Sequence, residues 1–274
     1  PYKLIAQQEK KISQQKDQIS KFSPYAWEIE VKFKNENKDF TIKRKPDIEL
    51  SNNKILKRYF IKEGFYLGIS NVFPGSGYID FHDNNILILS SRGILGYSIN
   101  EEDKFYFKQI RNNIDEFISL NQFKKKSTKE QSSKPHHWFS LKDLHISDDK
   151  IFISYTEEKE SDCWNTSVIL ADMNYKELKF EKLFSNEKCV HSINNPDKEF
   201  NGHQSGGRII KFDNNHILLS VGDYRNRYLA QDTDSINGKI IKINFNNSNY
   251  EIISLGHRNP QGLYFDRENN YILE

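Results

Sequence analysis

His203 precedes a Ser-Gly-Gly turn in "NGHQSGGRIIKFDNNHILLSVGDY" (201–224), and Asp223 follows twenty residues after it. Between them lie two apolar stretches joined by Asp213-Asn214-Asn215, the pattern of two strands and a tight turn. Two paired strands return the chain to the end it left, which brings Asp223 near His203. A carboxylate bonded to one imidazole nitrogen fixes the tautomer and raises the basicity of the other. That is the arrangement of a general base. The same residues also fit a plain loop histidine beside a turn that starts at Gly222-Asp223.

A second set lies in "LGHRNPQGLYF" (255–265). Pro260 restricts Asn259 to extended geometry, and Gly256 and Gly262 permit turns on either side. The result is a stiff loop presenting the Arg258 cation and the Asn259 amide. A guanidinium held this way suits a planar anionic or quinone-like ligand. It equally suits bracing of neighbouring structural units through backbone carbonyls.

The elements that must position these residues repeat along the chain. "YIDFHDNNILILSS" (78–91), "LHISDDKIFISYTE" (144–157), "IIKFDNNHILLSVG" (209–222) and "LYFDRENNYILE" (263–274) each read as strand, acidic or Asn-rich turn, strand. Their turn aspartates, Asp83, Asp148, Asp213 and Asp266, are spaced by 65, 65 and 53 residues. Hairpins recurring at such intervals predict the blades of a β-propeller rather than a sandwich. The fold class expected is therefore all-β, a partial ring of about four blades. The last hairpin ends within a strand at Glu274, so further blades are expected beyond it.

Composition agrees. Aromatic residues make up 13% of the 274 residues, with 19 Phe and 14 Tyr, which suits sheets. A net charge of +2 from 40 basic and 38 acidic residues argues against a dedicated nucleic-acid binder. Residues 1–22 are polar, free of Gly, and carry Ile5, Ile12 and Ile19 on one seam. They read as an N-terminal helix or stalk over 1–26, ahead of a propeller domain over 27–274 that starts with the alternation of "WEIEVKFKN". The chain opens on Pro1, and its single Met is Met173. A signal peptide or membrane anchor upstream is the expectation this raises. The Ser- and Lys-rich stretch 121–135 reads as an exposed loop between blades. Cys163 and Cys189 are the two cysteines and lie 26 residues apart. They read either as one disulfide, contributing about 3 kcal/mol, or as two buried thiols.

In order and spacing, "GHQSGGRI", "SVGD", "NGKIIKIN" and "LGHRNPQGLYF" resemble the glucose/sorbosone dehydrogenase family, the soluble quinoprotein aldose dehydrogenases. The close match covers about residues 201–274. Residues 73–200 match only as blades, and 1–60 not at all. The resemblance implies a six-bladed propeller that carries pyrroloquinoline quinone (PQQ) and Ca²⁺, oxidises an aldose or similar polyol, and is exported to the periplasm or beyond. It implies that His203 is the base taking the sugar C1 hydroxyl proton and that Asp223 orients it. It implies that Arg258 and Asn259 contact the cofactor, Arg258 also stabilising charge on the quinone oxygens. The calcium ligands are expected beyond Glu274, and no metal ligand is assigned within the chain. Two departures stand against full correspondence. No Gln-Gly stretch precedes the second-blade hairpin, where His136, His137 and Trp138 stand instead, and "SSRG" (90–93) keeps only the Arg of a Glu-Arg pair. The alternative reading is a propeller without catalysis that binds a glycan or protein partner.

Overall fold

The computed structural model describes residues 39–40, 42–61, 77–89, 93–101, 104–117, 140–160, 162–193 and 195–274. The helix expected over 1–26, the strand at Trp27, the basic stretch 121–135, His136, His137, Trp138 and Arg92 lie outside these residues. The described part is built from strands with short 3-10 turns, and none of its helices is long and apolar enough to cross a membrane.

Strands β1 (Asp39–Phe40), β2 (Ile42–Leu50) and β3 (Lys54–Ile61) come first; β2 and β3 form a separate hairpin. The first blade is the antiparallel meander of β4 (Tyr78–His82), β5 (Asn85–Leu89), β6 (Leu95–Glu101) and β7 (Lys104–Gln109), with β1 paired to the outside of β7. After β8 (Arg111–Asn112), the second blade runs through β9 (Leu141–Ser147), β10 (Lys150–Glu160) and β11 (Cys163–Asp172). Strand β12 (Glu177–Leu178) pairs in parallel with β8, stitching the second blade to the first. Both β13 (Glu181–Phe184) and β14 (Val190–His191) pair with β11. The third blade is β15 (Gly206–Lys211), β16 (His216–Val221), β17 (Lys239–Asn244) and β18 (Tyr250–Leu255). A fourth begins with β19 (Tyr264–Asp266) and β20 (Tyr271–Leu273).

Side-chain alternation shows how the blades stack. On β10, Ile151, Ile153 and Tyr155 pack with Leu87, Leu89 and Leu95 of the first blade. Phe152, between them, packs with Ile209, Ile217 and Ile241 of the third. Both faces of the second blade are thus buried, which is why β10 reads as an apolar run instead of an alternating one. A sandwich buries one face of each sheet; stacked blades bury two. The first strands of successive blades also touch in order, β4 with β9, β9 with β15 and β15 with β19. The fold is therefore a partial, unclosed β-propeller, as the repeating hairpins predicted.

The four turn aspartates do two different jobs. Asp148 and Asp149 have φ of 49° and 58°, the left-handed pair of a type I′ turn, and Asp83 is left-handed at 51°. Asp213 and Asp266 instead accept hydrogen bonds: Asp213 from the Asn215 N–H, Asp266 from the N–H groups of Glu268 and Asn269. In these longer loops the short carboxylate mimics a backbone turn. Cys163 and Cys189 form a disulfide with Cα atoms 5.4 Å apart, beside the β11–β14 pairing.

Candidate active site

Three segments meet where β15 begins, β16 ends and β19 begins: 201–206, 222–226 and 256–261. The Tyr224 N–H donates to the Gln204 carbonyl (3.0 Å), and the Asn201 N–H donates to the Tyr224 carbonyl (3.1 Å). Gly222 makes that approach possible, because a Cβ there would stand 2.2 Å from the Gln204 oxygen. The third segment joins through the Asp223 N–H, which donates to the Arg258 carbonyl (2.9 Å). The Ser220 hydroxyl donates to the Pro260 carbonyl (2.7 Å). Gly256, at φ 92°, allows the turn that leaves β18.

The second blade supports this knot from below. Thr166 on β11 donates its hydroxyl to the Ser205 carbonyl and shares a hydrogen bond with the Tyr224 hydroxyl, both at 2.8 Å. Tyr224 is fully buried in the core between the first two blades, its ring 5.7 Å from that of Phe200. This anchoring holds Tyr224 and Arg225 at φ of 55° and 70°, a region that non-glycine residues enter only when their surroundings impose it.

The structure thus gathers the backbones of His203, Asp223, Arg258 and Asn259 at one end of the propeller. Their side chains sit differently. His203 is half-buried, and its N–H donates to the Asn201 side chain (2.9 Å). Asp223 is almost wholly buried, and one carboxylate oxygen accepts the Arg225 N–H (2.8 Å). Burial pushes the Asp223 carboxyl above the usual aspartate range, against the pull of the Arg225 N–H and the charges of Arg258 and Arg227. Arg258 is exposed, and among the described residues no carboxylate pairs with it. Asn259 turns inward, its side-chain oxygen accepting the Gly206 N–H (3.1 Å). Part of its amide therefore fastens the third blade to the fourth.

Sequence reasoning missed the polar residues around this set. Gln204 Oε1, Arg225 Nε and both side-chain polar atoms of Asn226 are buried without a hydrogen-bond partner. Native interiors rarely leave such groups unpaired. The signal was "GDYRN", in which three polar or charged residues crowd the end of an apolar strand. No comparable metal centre appears among the described residues. There the only such group joins Glu160 to Cys163 and Cys189, whose sulfurs are already bonded to each other.

Blades, inner-strand contacts and this end of the ring define a propeller with a polar site on its face. Residues 140–274 match the family model described as Glucose / Sorbosone dehydrogenase, so this part of the chain is similar to that family. A solved structure described as a glucose dehydrogenase shares 18% identity and a TM-score of 0.50, over 72% of this chain and 60% of its own. The soluble aldose sugar dehydrogenase of Escherichia coli, in its apo-form, shares 19% identity and a TM-score of 0.51, over 72% and 55%. At these identities the likeness is one of fold. The chain spans 60% or less of the length of these two structures. No curated protein matches it in sequence.

Proposed function

We propose that this chain is part of a PQQ-dependent oxidoreductase that oxidises an aldose or similar polyol. The observation that carries the reading is the knot of His203, Asp223 and Arg258 segments, ringed by the unpaired buried groups of Gln204, Arg225 and Asn226. The donors among them, Arg225 Nε and Asn226 Nδ2, together with the exposed Arg258 cation suit an anionic quinone. When bound, the quinone accepts the hydride equivalent from the sugar carbon. His203 takes the proton of the C1 hydroxyl. Asp223 orients the imidazole from its buried position. Arg258 holds the anionic cofactor. Asn259 contributes through its amide nitrogen, since its oxygen is committed to Gly206. For Ca²⁺ the described residues offer no ligand set, and no step here depends on it. Export to an oxidising compartment fits the Cys163–Cys189 disulfide.

One observation favours a second reading, a propeller that binds a glycan or protein without turnover: Asn259 acts as a brace between blades. A full-length form supplied with PQQ and Ca²⁺ separates the two. His203→Ala is expected to lower sugar-dependent dye reduction by about 10²–10⁴-fold, with the melting temperature and PQQ binding heat unchanged. Absence of quinone-dependent heat in the parent protein would sink the enzyme reading and leave the binding one.

A further inference from the structure

The β2–β3 hairpin forms a sheet of its own, touching the first blade at β7. Every residue from Arg44 to Tyr59 is exposed, and the large apolar side chains Ile48, Leu50, Ile55 and Leu56 are 40%, 46%, 61% and 44% accessible. Two-stranded hairpins are marginal in water, and one that displays aliphatic residues needs a surface to cover them.

The register sorts these residues into two chemically distinct faces. Ile48 pairs with Leu56, Leu50 with Lys54, and Lys45 with Arg58. An irregularity at Pro46-Asp47 shifts the alternation, so that Lys45 and Ile48 fall on the same side. One face therefore carries Ile48, Leu50 and Leu56 with Lys45, Lys54 and Arg58, and no carboxylate. The opposite face carries both acids. Asp47 accepts a 2.7 Å bond from Arg44, whose guanidinium lies over the Tyr59 ring, and Glu49 pairs across from Ile55. Lys57 shares that side. The second face is thus neutral, whereas the first is purely cationic and aliphatic.

We propose that the Ile48–Leu50–Leu56 face docks on the surface of an anionic lipid bilayer. Three aliphatic side chains need a phase that dissolves hydrocarbon, which the acyl boundary offers and a nucleic-acid backbone does not. Lys54 and Arg58 at their rim favour negative headgroups, each contributing attraction that salt screens. Acids confined to the reverse face keep repulsion away from that surface. The Asn52-Asn53 turn, at φ of 71° and 57°, closes the tip without adding charge.

The test is flotation of the whole chain with vesicles of phosphatidylcholine alone or mixed with phosphatidylglycerol. Binding is expected only to the mixed vesicles, weakening as salt rises. Lys54→Gln with Arg58→Gln should lower the partition coefficient about 30-fold, with Lys54→Glu as a single change outside the hairpin's own side-chain bonds. Ile48→Ser with Leu56→Ser should weaken binding at any salt. Thermal unfolding should be unchanged in Lys54→Glu, whereas Arg58→Gln also gives up the bond from Arg58 to the Pro46 carbonyl (2.9 Å). Failure to bind mixed vesicles overturns the proposal, as does binding that no hairpin variant alters. So does loss of binding with the charges alone, together with equal affinity for a single-stranded oligonucleotide, since that describes a polyanion site.

Discussion

The first two junctions between blades use the same device and end in opposite electrostatic states. At the first, Asp80 on β4 accepts the Ile146 N–H of β9 (2.6 Å) and meets His145 (3.2 Å). At the second, Asp143 on β9 accepts the Ile209 N–H of β15 (2.8 Å) and meets Arg208 (2.7 Å). In each case an inner-strand carboxylate reaches the residues 65 and 66 positions on. Yet the Asp80 side chain keeps 25% of its exposure and Asp143 only 2%. Burial pushes Asp80 up, but the bonds from His145, Ile146 and Phe81 outweigh it and leave the group below its usual range. At Asp143 burial wins over Ile209, Arg208 and Leu144, and the group rises to about 6. Partner identity does not decide the outcome, because the imidazole goes with the lowered carboxyl and the permanently charged guanidinium with the raised one. Access of water does.

The sharpest way to break this comparison is to remove the cation from the buried junction. Arg208→Met leaves Asp143 enclosed with backbone donors alone and also drops the bond from Arg208 to the Gln261 carbonyl (3.2 Å). A loss of about 3 kcal/mol or more in urea unfolding at neutral pH is expected. The loss should shrink in acid, where Asp143 takes up a proton instead. A loss independent of pH would mean that packing, not charge, holds the second junction. At the first junction the matching change is gentler. Asp80→Asn keeps an acceptor for the Ile146 N–H and gives up only a part-exposed charge, so about 1 kcal/mol is expected. Equal losses for the two variants would remove the distinction that exposure draws.

Much of this was legible beforehand, for physical reasons that also mark its limits. Hairpins announce themselves locally, because a tight turn needs Asp or Asn at fixed offsets; Asp83, Asp148, Asp213 and Asp266 mark all four. The approach of Asp223 to the His203 segment followed from strand pairing alone. What local pattern does not carry is the contact between blades. Asp80 and Asp143 sit in "IDFH" and "KDLH", 63 residues apart, a second repeat beside that of the turns. The inward turn of Asn259 depends on where Gly206 lies, 53 residues earlier. The β8–β12 pairing involves two residues a side, too few for any periodicity. The irregularity at Pro46-Asp47 that sorts the hairpin's faces is likewise a matter of pairing register, which no local pattern carries.

The most direct measure of the comparison is the slope of stability against pH with each carboxylate present or neutralised. For Asp143 the folded value, about 6, lies above the usual aspartate value near 4. The folded protein therefore binds a proton more readily than the unfolded chain between about pH 4 and 6. Its contribution is greatest below that window, falls as pH rises through it, and is flat above. For Asp80 the folded value is lowered, so its contribution is present above the unfolded value and lost as pH falls through the folded one. The two slopes have opposite sign and occupy different windows. Asp143→Asn should flatten the decline between about pH 4 and 6 and leave the acid limb intact; Asp80→Asn should flatten the acid limb alone. Urea midpoints across pH for the parent and both variants read this out, with carboxyl NMR titration assigning each group. An Asp143 resonance that titrates at or below Asp80's would show that Arg208 and the backbone donors outweigh burial after all, and the junctions would then differ in composition but not in kind.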